Sequence, residues 1–285
     1  MKVCAMLASH NRCAQTLRCL DSYYAQEVET ALELSAVLVD GGSMDGTVRA
    51  VQERFPATEV IAGSARLFWA GAMAIAERAA ITRGPDYLLW LNDDVVLDRS
   101  SLQRLISTAR SRGNTCIVVG ALRDPMSGEL TYSGVRRPGL RPLQMRLIAP
   151  GEKPVEIETF HGNVVLIPSA VRARVGPVDG AFVHSFADYD YGLRARAAGV
   201  INLLAPGGTV GTCARDHDER PWLDRSVSVK ERLKLLVGLK GLPPRPRARY
   251  LRRHGGPLWV LFWLVSYVRA VPSVLRPSLR KGGVQ

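Results

Sequence analysis

Three groups of carboxylates in this sequence fall where chemistry would place them. Asn92-Asp93-Asp94 sets two acids back to back after the apolar run Tyr87 to Leu91. Adjacent carboxylates there repel each other and lose hydration, a cost that a divalent cation or strong hydrogen-bond donors would offset. Mg²⁺ is commonly held by one or two carboxylates with phosphates in its other positions, although the same residues would also cap a helix. Asp40 ends a second apolar run, Leu34 to Val39, and precedes Gly41-Gly42-Ser43. It reads as an Asp-Gly turn or as an acceptor for a donor group on a nucleotide base. Asp188 and Asp190 begin a predicted helix, whose dipole welcomes acids. Phe182, Phe186, Tyr189 and Tyr191 lie around them in sequence, and a carboxylate among aromatic rings can be moved toward the pKa of a general base.

The elements that must present these residues alternate regularly. Lys2 to Ala8 reads as a strand and Ala14 to Tyr24 as a helix; Leu34 to Val39 reads as a strand, with Asp45 capping a helix that runs to about Phe55. A short strand near Glu59 to Ala62, a Gly/Ala-rich helix from about Gly71 to Thr82, and the buried strand Tyr87 to Leu91 continue the series. Such β-α alternation predicts a doubly wound, mostly parallel sheet flanked by helices, in which ligands bind at the carboxyl ends of strands. Asp40 and Asn92 to Asp94 both sit at such ends. Further on come a helix over Ser100 to Arg112, a strand over Cys116 to Gly120, an irregular Gly/Pro/Arg-rich segment over Asp124 to Pro154, strand character over Glu158 to Pro168, and a turn and helix within Gly180 to Gly199. Pro243 to Arg247 reads as a linker.

Composition limits the alternatives. With 285 residues, 47% of them hydrophobic, the chain can bury one large α/β core, giving a catalytic domain over 1–219 and an appendage over 220–285. From Arg220 onward 15 Lys/Arg face only Asp224 and Glu231, whereas the preceding residues hold 23 basic and 24 acidic side chains. The high pI therefore belongs to the tail, and a nucleic-acid enzyme, which would ring its working cleft with basic residues, is not indicated. The five cysteines, Cys4, Cys13, Cys19, Cys116 and Cys213, are odd in number and scattered, as expected of reduced thiols in the cytosol. No charged-then-apolar leader opens the sequence.

At its chemical residues the chain resembles the family-2 glycosyltransferases, which have the GT-A nucleotide-sugar fold, and especially their bacterial rhamnosyltransferase-like branch. Ala8-Ser9-His10-Asn11-Arg12 is similar to the family's first strand and loop, and Val39 to Thr47 to its nucleotide-binding turn. Leu91-Asn92-Asp93-Asp94-Val95 occupies the place of the metal-binding D-x-D, and Ala187-Asp188-Tyr189-Asp190, with Leu193-Arg194 and Gly199, that of the E-D-x-D-L-x-x-R region. The resemblance implies that Asp188 is the catalytic base, that Asp94 binds Mg²⁺ or Mn²⁺ with the diphosphate, and that His217 joins the metal. It implies a donor site made of Ser9, Asn11, Arg12, Asp40, Gly42, Ser43, Trp69, Gly71, Asn92, Asp93, Gly162 and Asn163. Two departures stand out: Asn92 replaces the first acid of the D-x-D, and Ala187 replaces the usual Glu.

The implied activity is inverting transfer of a sugar, with rhamnose the leading choice, from a dTDP- or UDP-sugar to a lipid-linked or polysaccharide acceptor in envelope glycan synthesis. The tail bears on location. Pro257 to Val268 is 12 residues long, too short to span a bilayer, and basic residues flank it on both sides, among them Arg249, Arg252, Arg253, Arg269, Arg276, Arg280 and Lys281. Trp259, Trp263 and Tyr267 recur every four residues and would form one aromatic helical face. Such a helix suits the interface of an anionic membrane, placing the protein on the cytoplasmic face of the plasma membrane; the alternative is a core helix or a homodimer contact. Two other functions compete. A nucleotidyltransferase would want a Gly-rich loop after the first strand, and Ser9 to Arg12 has no glycine; a non-catalytic module of the same fold would fit Asn92 and Ala187.

Overall fold

The computed structural model describes residues 1–29, 31–183, 185–215, 220–239 and 241–276. Eight strands make one sheet: β1 (Lys2–Ser9), β2 (Glu33–Asp40), β3 (Thr58–Ala62), β4 (Tyr87–Leu91), β5 (Cys116–Val119), β6 (Val155–Ile157), β7 (Val164–Pro168) and β8 (Ile201–Leu204). Their spatial order is β6-β8-β5-β7-β4-β1-β2-β3. The pairs along β3-β2-β1-β4 are parallel, as is β8 with β5, while β7 runs antiparallel to both of its neighbours and β6 antiparallel to β8. The parallel block carries Ser9 and Asp40, which are partners in register, and the residues after Leu91 to one edge.

Side-chain alternation along β1 builds a core on each face of the sheet. Val3, Ala5 and Leu7 pack with Cys19, Leu20 and Tyr23 of α1 (Cys13–Tyr24), Val51 of α2 (Thr47–Arg54), and Leu102, Leu105 and Ile106 of α4 (Ser101–Arg110). Cys4 and Met6 point the other way, toward Met73, Ala76 and Ala80 of α3 (Phe68–Ile81), Val171 of α5 (Ser169–Val175), and Tyr191 and Ala195 of α6 (Ala187–Ala197). A strand covered on both faces has no need of polar alternation, which is why Tyr87 to Leu91 is buried along its whole length. Glu77 is fully buried in α3; it accepts from Arg172 Nε at 3.1 Å and from the Val178 amide at 3.0 Å, tying α3 to α5 and to the turn beyond it.

Several sequence expectations change at this level. The strand character of Glu158 to Pro168 divides into Thr159–Phe160, which joins Gly134–Arg136 and Arg146–Leu147 in a small antiparallel sheet, and β7 in the main sheet. The segment over 124–154, expected to be irregular, thus contributes short strands, each too brief to show periodicity. Pro243 to Arg247 is not a linker: α8 (Pro244–His254) begins there, since proline's fixed φ and missing N–H are harmless in a first turn. The basic region is helical as expected, with α7 (Val229–Val237) and α9 (Trp259–Leu275) completing it. The aromatic face of α9 turns inward, however. Trp259, Phe262 and Trp263 pack beside Tyr250 and Leu251 of α8 on Ala70, Phe182, Ala187 and Leu193. Trp263 Nε1 donates to the Pro244 carbonyl at 3.1 Å, and Tyr267 donates to the Leu242 carbonyl at 3.0 Å. Among the described residues no helix is long and apolar enough to cross a membrane.

Gly192 sets how closely α6 approaches the strand Thr159–Phe160, because a Cβ there would lie 2.3 Å from Thr159 Oγ1. Gly192→Ala is expected to force the two apart and lower stability by about 1–3 kcal/mol, measured by urea denaturation.

Candidate active site

The loops that follow β1 and β2 are tied together before any ligand is considered. The Gly41 amide donates to the Ser9 carbonyl at 2.7 Å, the Asn11 amide to Ser43 Oγ at 2.8 Å, and the Met44 amide to Asn11 Oδ1 at 2.8 Å. Asp40 makes the turn anticipated from its sequence: its Oδ2 accepts from the amides of Gly42 (2.9 Å) and Ser43 (2.8 Å). Its Oδ1 is buried without a hydrogen-bond partner among the described residues, so the turn leaves one acceptor unused. Asn11, Gly42 and Ser43 thereby brace the rim rather than line its interior.

Inside the rim is a cavity of about 700 Å³, the size of a small-molecule site. Of the residues expected at the donor site, Ser9, Arg12, Trp69, Asn92, Asp93, Gly162 and Asn163 line it, together with the expected metal ligand Asp94 and base Asp188; Asp40 is buried and does not line it, although its neighbours Val39 and Gly41 do. Gly71 does not line the cavity: a Cβ there would meet only Leu67, at 3.4 Å, whereas a Cβ on Gly180 would come within 3.3 Å of Ala74 and 3.5 Å of the Gly71 Cα. Asn92, at the position of the missing acid, accepts from Trp69 Nε1 at 2.8 Å and so fixes the indole in the cavity wall. His217 lies outside the described residues.

At the end of β4 the two acids share one cation. Arg12 Nη1 donates to Asp93 Oδ1 at 3.2 Å and to Asp94 Oδ2 at 3.0 Å. Burial pushes the Asp93 carboxyl up to about 6, with Arg12 opposing and the charge of Asp94 adding to the rise. Among the described residues Asp93 Oδ2 has no hydrogen-bond partner, and Asp94, partly exposed to the cavity, accepts from the Cys213 thiol at 3.4 Å on its Oδ1. The donor set fits a hard divalent cation, because both groups supply carboxylate oxygens and one oxygen is orphaned. Among the described residues no group of three His, Cys, Asp or Glu side chains could hold a metal. A cation here would complete its shell with diphosphate oxygens and water, the habit of Mg²⁺.

Asp188, on the first turn of α6, lines the same cavity. Its Oδ2 accepts from the Gly162 amide at 3.1 Å and its Oδ1 from the Tyr189 amide at 2.8 Å; no cation pairs with it among the described residues. Burial pushes its carboxyl up to about 6 against these two donors. Only glycine fits at 162, since a Cβ there would sit 2.8 Å from the Trp69 ring and 3.3 Å from Asp188 Cβ. One residue earlier, His161 Nδ1 lies 3.1 Å from the Ser133 carbonyl and its Nε2 3.1 Å from the Tyr189 hydroxyl. A carbonyl can only accept, so Nδ1 carries the proton and Nε2 accepts from Tyr189. Burial lowers the imidazole pKa to about 4 and keeps it neutral near pH 7.

Tyr132 and Cys213 were not singled out for the site by the sequence. Tyr132 reaches the cavity from the short strand Leu130–Tyr132 and meets His161 edge-on at 5.5 Å. Neither left a signal, for a three-residue strand has no period and an isolated cysteine no motif.

The mixed sheet flanked by helices, with acids gathered at its strand ends, is the GT-A arrangement of glycosyltransferases. Two solved structures share it. A Pyrobaculum calidifontis mannosyltransferase, in complex with GDP-Man and Mn²⁺, aligns with a TM-score of 0.54 and 18% identity over 95% of this chain and 72% of its own. S. aureus TarS 1-349, in complex with UDP, aligns with a TM-score of 0.59 and 14% identity over 96% and 88%. Residues 4–164 match the model of glycosyl transferase family 2, and the chain belongs to that family. It is also 26% identical, over 208 residues that make 64% of this chain and 67% of the relative, to an N-acetylglucosaminyl-diphospho-decaprenol L-rhamnosyltransferase of Mycobacterium tuberculosis.

The raised Asp188 carboxyl implies a linkage. With a folded pKa of about 6 against about 3.9 unfolded, it contributes its full stability below about pH 4 and loses it as pH rises through 6. Asp188→Asn does not titrate, so its stability relative to wild type should grow by about 1–3 kcal/mol between pH 4 and pH 7. Chemical denaturation across that range checks this, and a constant difference would contradict it.

Proposed function

We propose that this protein is an inverting glycosyltransferase that moves a sugar, rhamnose by the strongest analogy, from a dTDP- or UDP-linked donor to a lipid-linked glycan acceptor in cell-envelope synthesis. The observation that carries this reading is that Asp188, with a raised pKa and no cationic partner among the described residues, shares one cavity with the Asp93-Asp94 pair. The Mycobacterium tuberculosis relative supports the donor sugar and the polyprenyl-linked acceptor through the reaction in its name. The Mn²⁺ and GDP-Man of the Pyrobaculum calidifontis neighbour support a metal-diphosphate at Asp94.

In this reaction the acceptor hydroxyl oxygen attacks the anomeric carbon while the bond from that carbon to the diphosphate oxygen breaks. The bonding electrons leave with the nucleoside diphosphate, and the hydroxyl proton passes to the Asp188 carboxylate. A single displacement inverts the anomeric centre. Asp94 and Asp93 would hold Mg²⁺ or Mn²⁺, which supplies Lewis-acid stabilisation of the departing diphosphate charge. Trp69, steadied by Asn92, offers the sugar an apolar wall, and Asp40 Oδ1 remains as an acceptor for an N–H of the base. The departures from the family pattern do not favour a silent binding module. Asn92 has a structural task, and Ala187 is buried against Phe182 and Tyr250, where a glutamate would be costly.

Transfer from dTDP-rhamnose to a synthetic polyprenyl diphospho-N-acetylglucosamine, with Mn²⁺, tests the assignment. The expected kcat falls on acidification with an apparent pKa of about 6 as Asp188 becomes protonated. Asp188→Asn is expected to lose transfer by a factor on the order of 10³ or more while binding dTDP as wild type does; full turnover by that variant would rule out the role.

We further propose that α9 rests on the inner face of the plasma membrane. With the aromatic side turned inward, the outward side is aliphatic: Leu261, Leu264, Val268 and Leu275 recur along one face, about half or more of each exposed, with Arg269 and Arg276 exposed beside them. Because α8 and α9 pack on the body of the protein, the test keeps the whole chain. Leu261→Asp, Leu264→Asp and Val268→Asp together should abolish co-sedimentation with phosphatidylglycerol vesicles and leave dTDP affinity unchanged. Undiminished sedimentation would refute the membrane contact, and a shift from dimer to monomer without vesicle binding by wild type would make the stripe a homodimer contact instead.

A further inference from the structure

The segment that delivers Asp188 is held in an unfavourable backbone conformation. Among the described residues between Asp179 and α6, two that are not glycine have positive φ, Val183 at 63° and Phe186 at 74°, and Phe186 stands immediately before the helix whose second residue is Asp188. Such conformations are costly for side-chain-bearing residues and persist only where the surroundings impose them.

Val183 is held from α3, its carbonyl accepting from the Ala70 amide at 2.9 Å, whereas Phe186 packs against α8, far along the chain and outside the stretch matched by the family model. The Phe186 ring stacks on Tyr250, with centroids 4.9 Å apart and planes at 24°, and the Arg247 guanidinium lies 5.5 Å above the same ring. Tyr250 is fully buried, and its hydroxyl donates to the Pro142 carbonyl at 3.3 Å. At one end of the segment Asp179 pairs with Arg249 at 2.8 Å and Arg253 at 2.7 Å. At the other, the fully buried Asp190 accepts from Arg253 Nη1 and His254 Nε2, both at 2.9 Å, and from Arg194 of its own helix at 2.8 Å. Asp190 thus faces α8, while Asp188 faces the cavity from the same turn.

We propose that α8 is a positioning element of the active site, in which Tyr250, acting through Phe186, sets the placement of the Asp188 carboxylate. The inference rests on Asp188 being the base of the proposed reaction. Tyr250 itself touches neither cavity nor ligand, so it is a positioning residue, and removing its ring frees the Phe186 turn while leaving the nucleotide side of the cavity intact. The consequence is a split between turnover and binding.

The test compares wild type, Tyr250→Ala, Tyr250→Leu and Tyr250→Phe as full-length proteins. Transfer from dTDP-rhamnose to the synthetic polyprenyl diphospho-N-acetylglucosamine gives kcat, calorimetry gives the dTDP Kd, and all assays run well below each variant's Tm. Tyr250→Ala is expected to lose kcat by a factor on the order of 10 to 100 with an unchanged dTDP Kd. Tyr250→Leu, the variant less prone to misfolding, should show the same split, and Tyr250→Phe should restore wild-type kcat by keeping the stack. Wild-type kcat in Tyr250→Ala, parallel loss of kcat and dTDP binding in both smaller variants, or failure of Tyr250→Phe to restore turnover would each overturn the proposal. An active Asp188→Asn would overturn it together with the base assignment, whereas an inactive one beside a fully active Tyr250→Ala would overturn the role of α8 alone.

Discussion

A carboxylate that is to take a proton must be buried enough to hold one near neutral pH, yet kept away from the cations that would silence it. Asp188 and Asp190 show how narrow that constraint is. They lie two residues apart at the start of α6, one lining the cavity and the other turned toward α8. Burial raises Asp188 to about 6, because among the described residues backbone amides alone oppose it. Burial acts on Asp190 too, but His254, Arg194 and Arg253 outweigh it and bring that carboxyl down to about 2. Their opposite orientations on one helical turn separate two groups of the same type into two environments.

The second acid pair depends on the same balance. Asp93 and Asp94 follow a strand buried on both faces, and desolvation there would make the pair untenable without a positive charge. Arg12 supplies it, delivered from the end of β1 by the parallel pairing of β1 with β4. The sheet therefore does more than carry side chains: its register brings a cation to acids more than eighty residues away. Asn92 completes the arrangement by holding Trp69, so that the polar end of the cavity and its aromatic wall share a single anchor.

The basic tail packs against the body of the protein. Its arginines divide by position. Arg247, Arg249 and Arg253 face Phe186, Asp179 and Asp190, whereas Arg252, Arg269 and Arg276 are exposed. One helix hairpin, α8 and α9, thereby contacts the segment before Asp188 on one side and presents an aliphatic stripe with exposed arginines on the other.

Local signals in the sequence determined the strand-helix alternation, the apolar strands that end in Asp40 and Asn92 to Asp94, and the helix that opens at Asp188, since a two- or 3.6-residue period and a turn residue are legible over a few positions. The tail's basic charge and its 12-residue apolar run were equally plain. Tertiary structure alone decided that Arg12 neutralises Asp93 and Asp94, that Gly71 stays off the cavity wall, that Tyr132 reaches the cavity, and that the aromatic face of α9 points inward. It also decided that α8 grips the turn before Asp188. Each of these joins residues distant in sequence, and a contact of that kind is fixed by how sheet and helices pack, which no local pattern of residue types encodes.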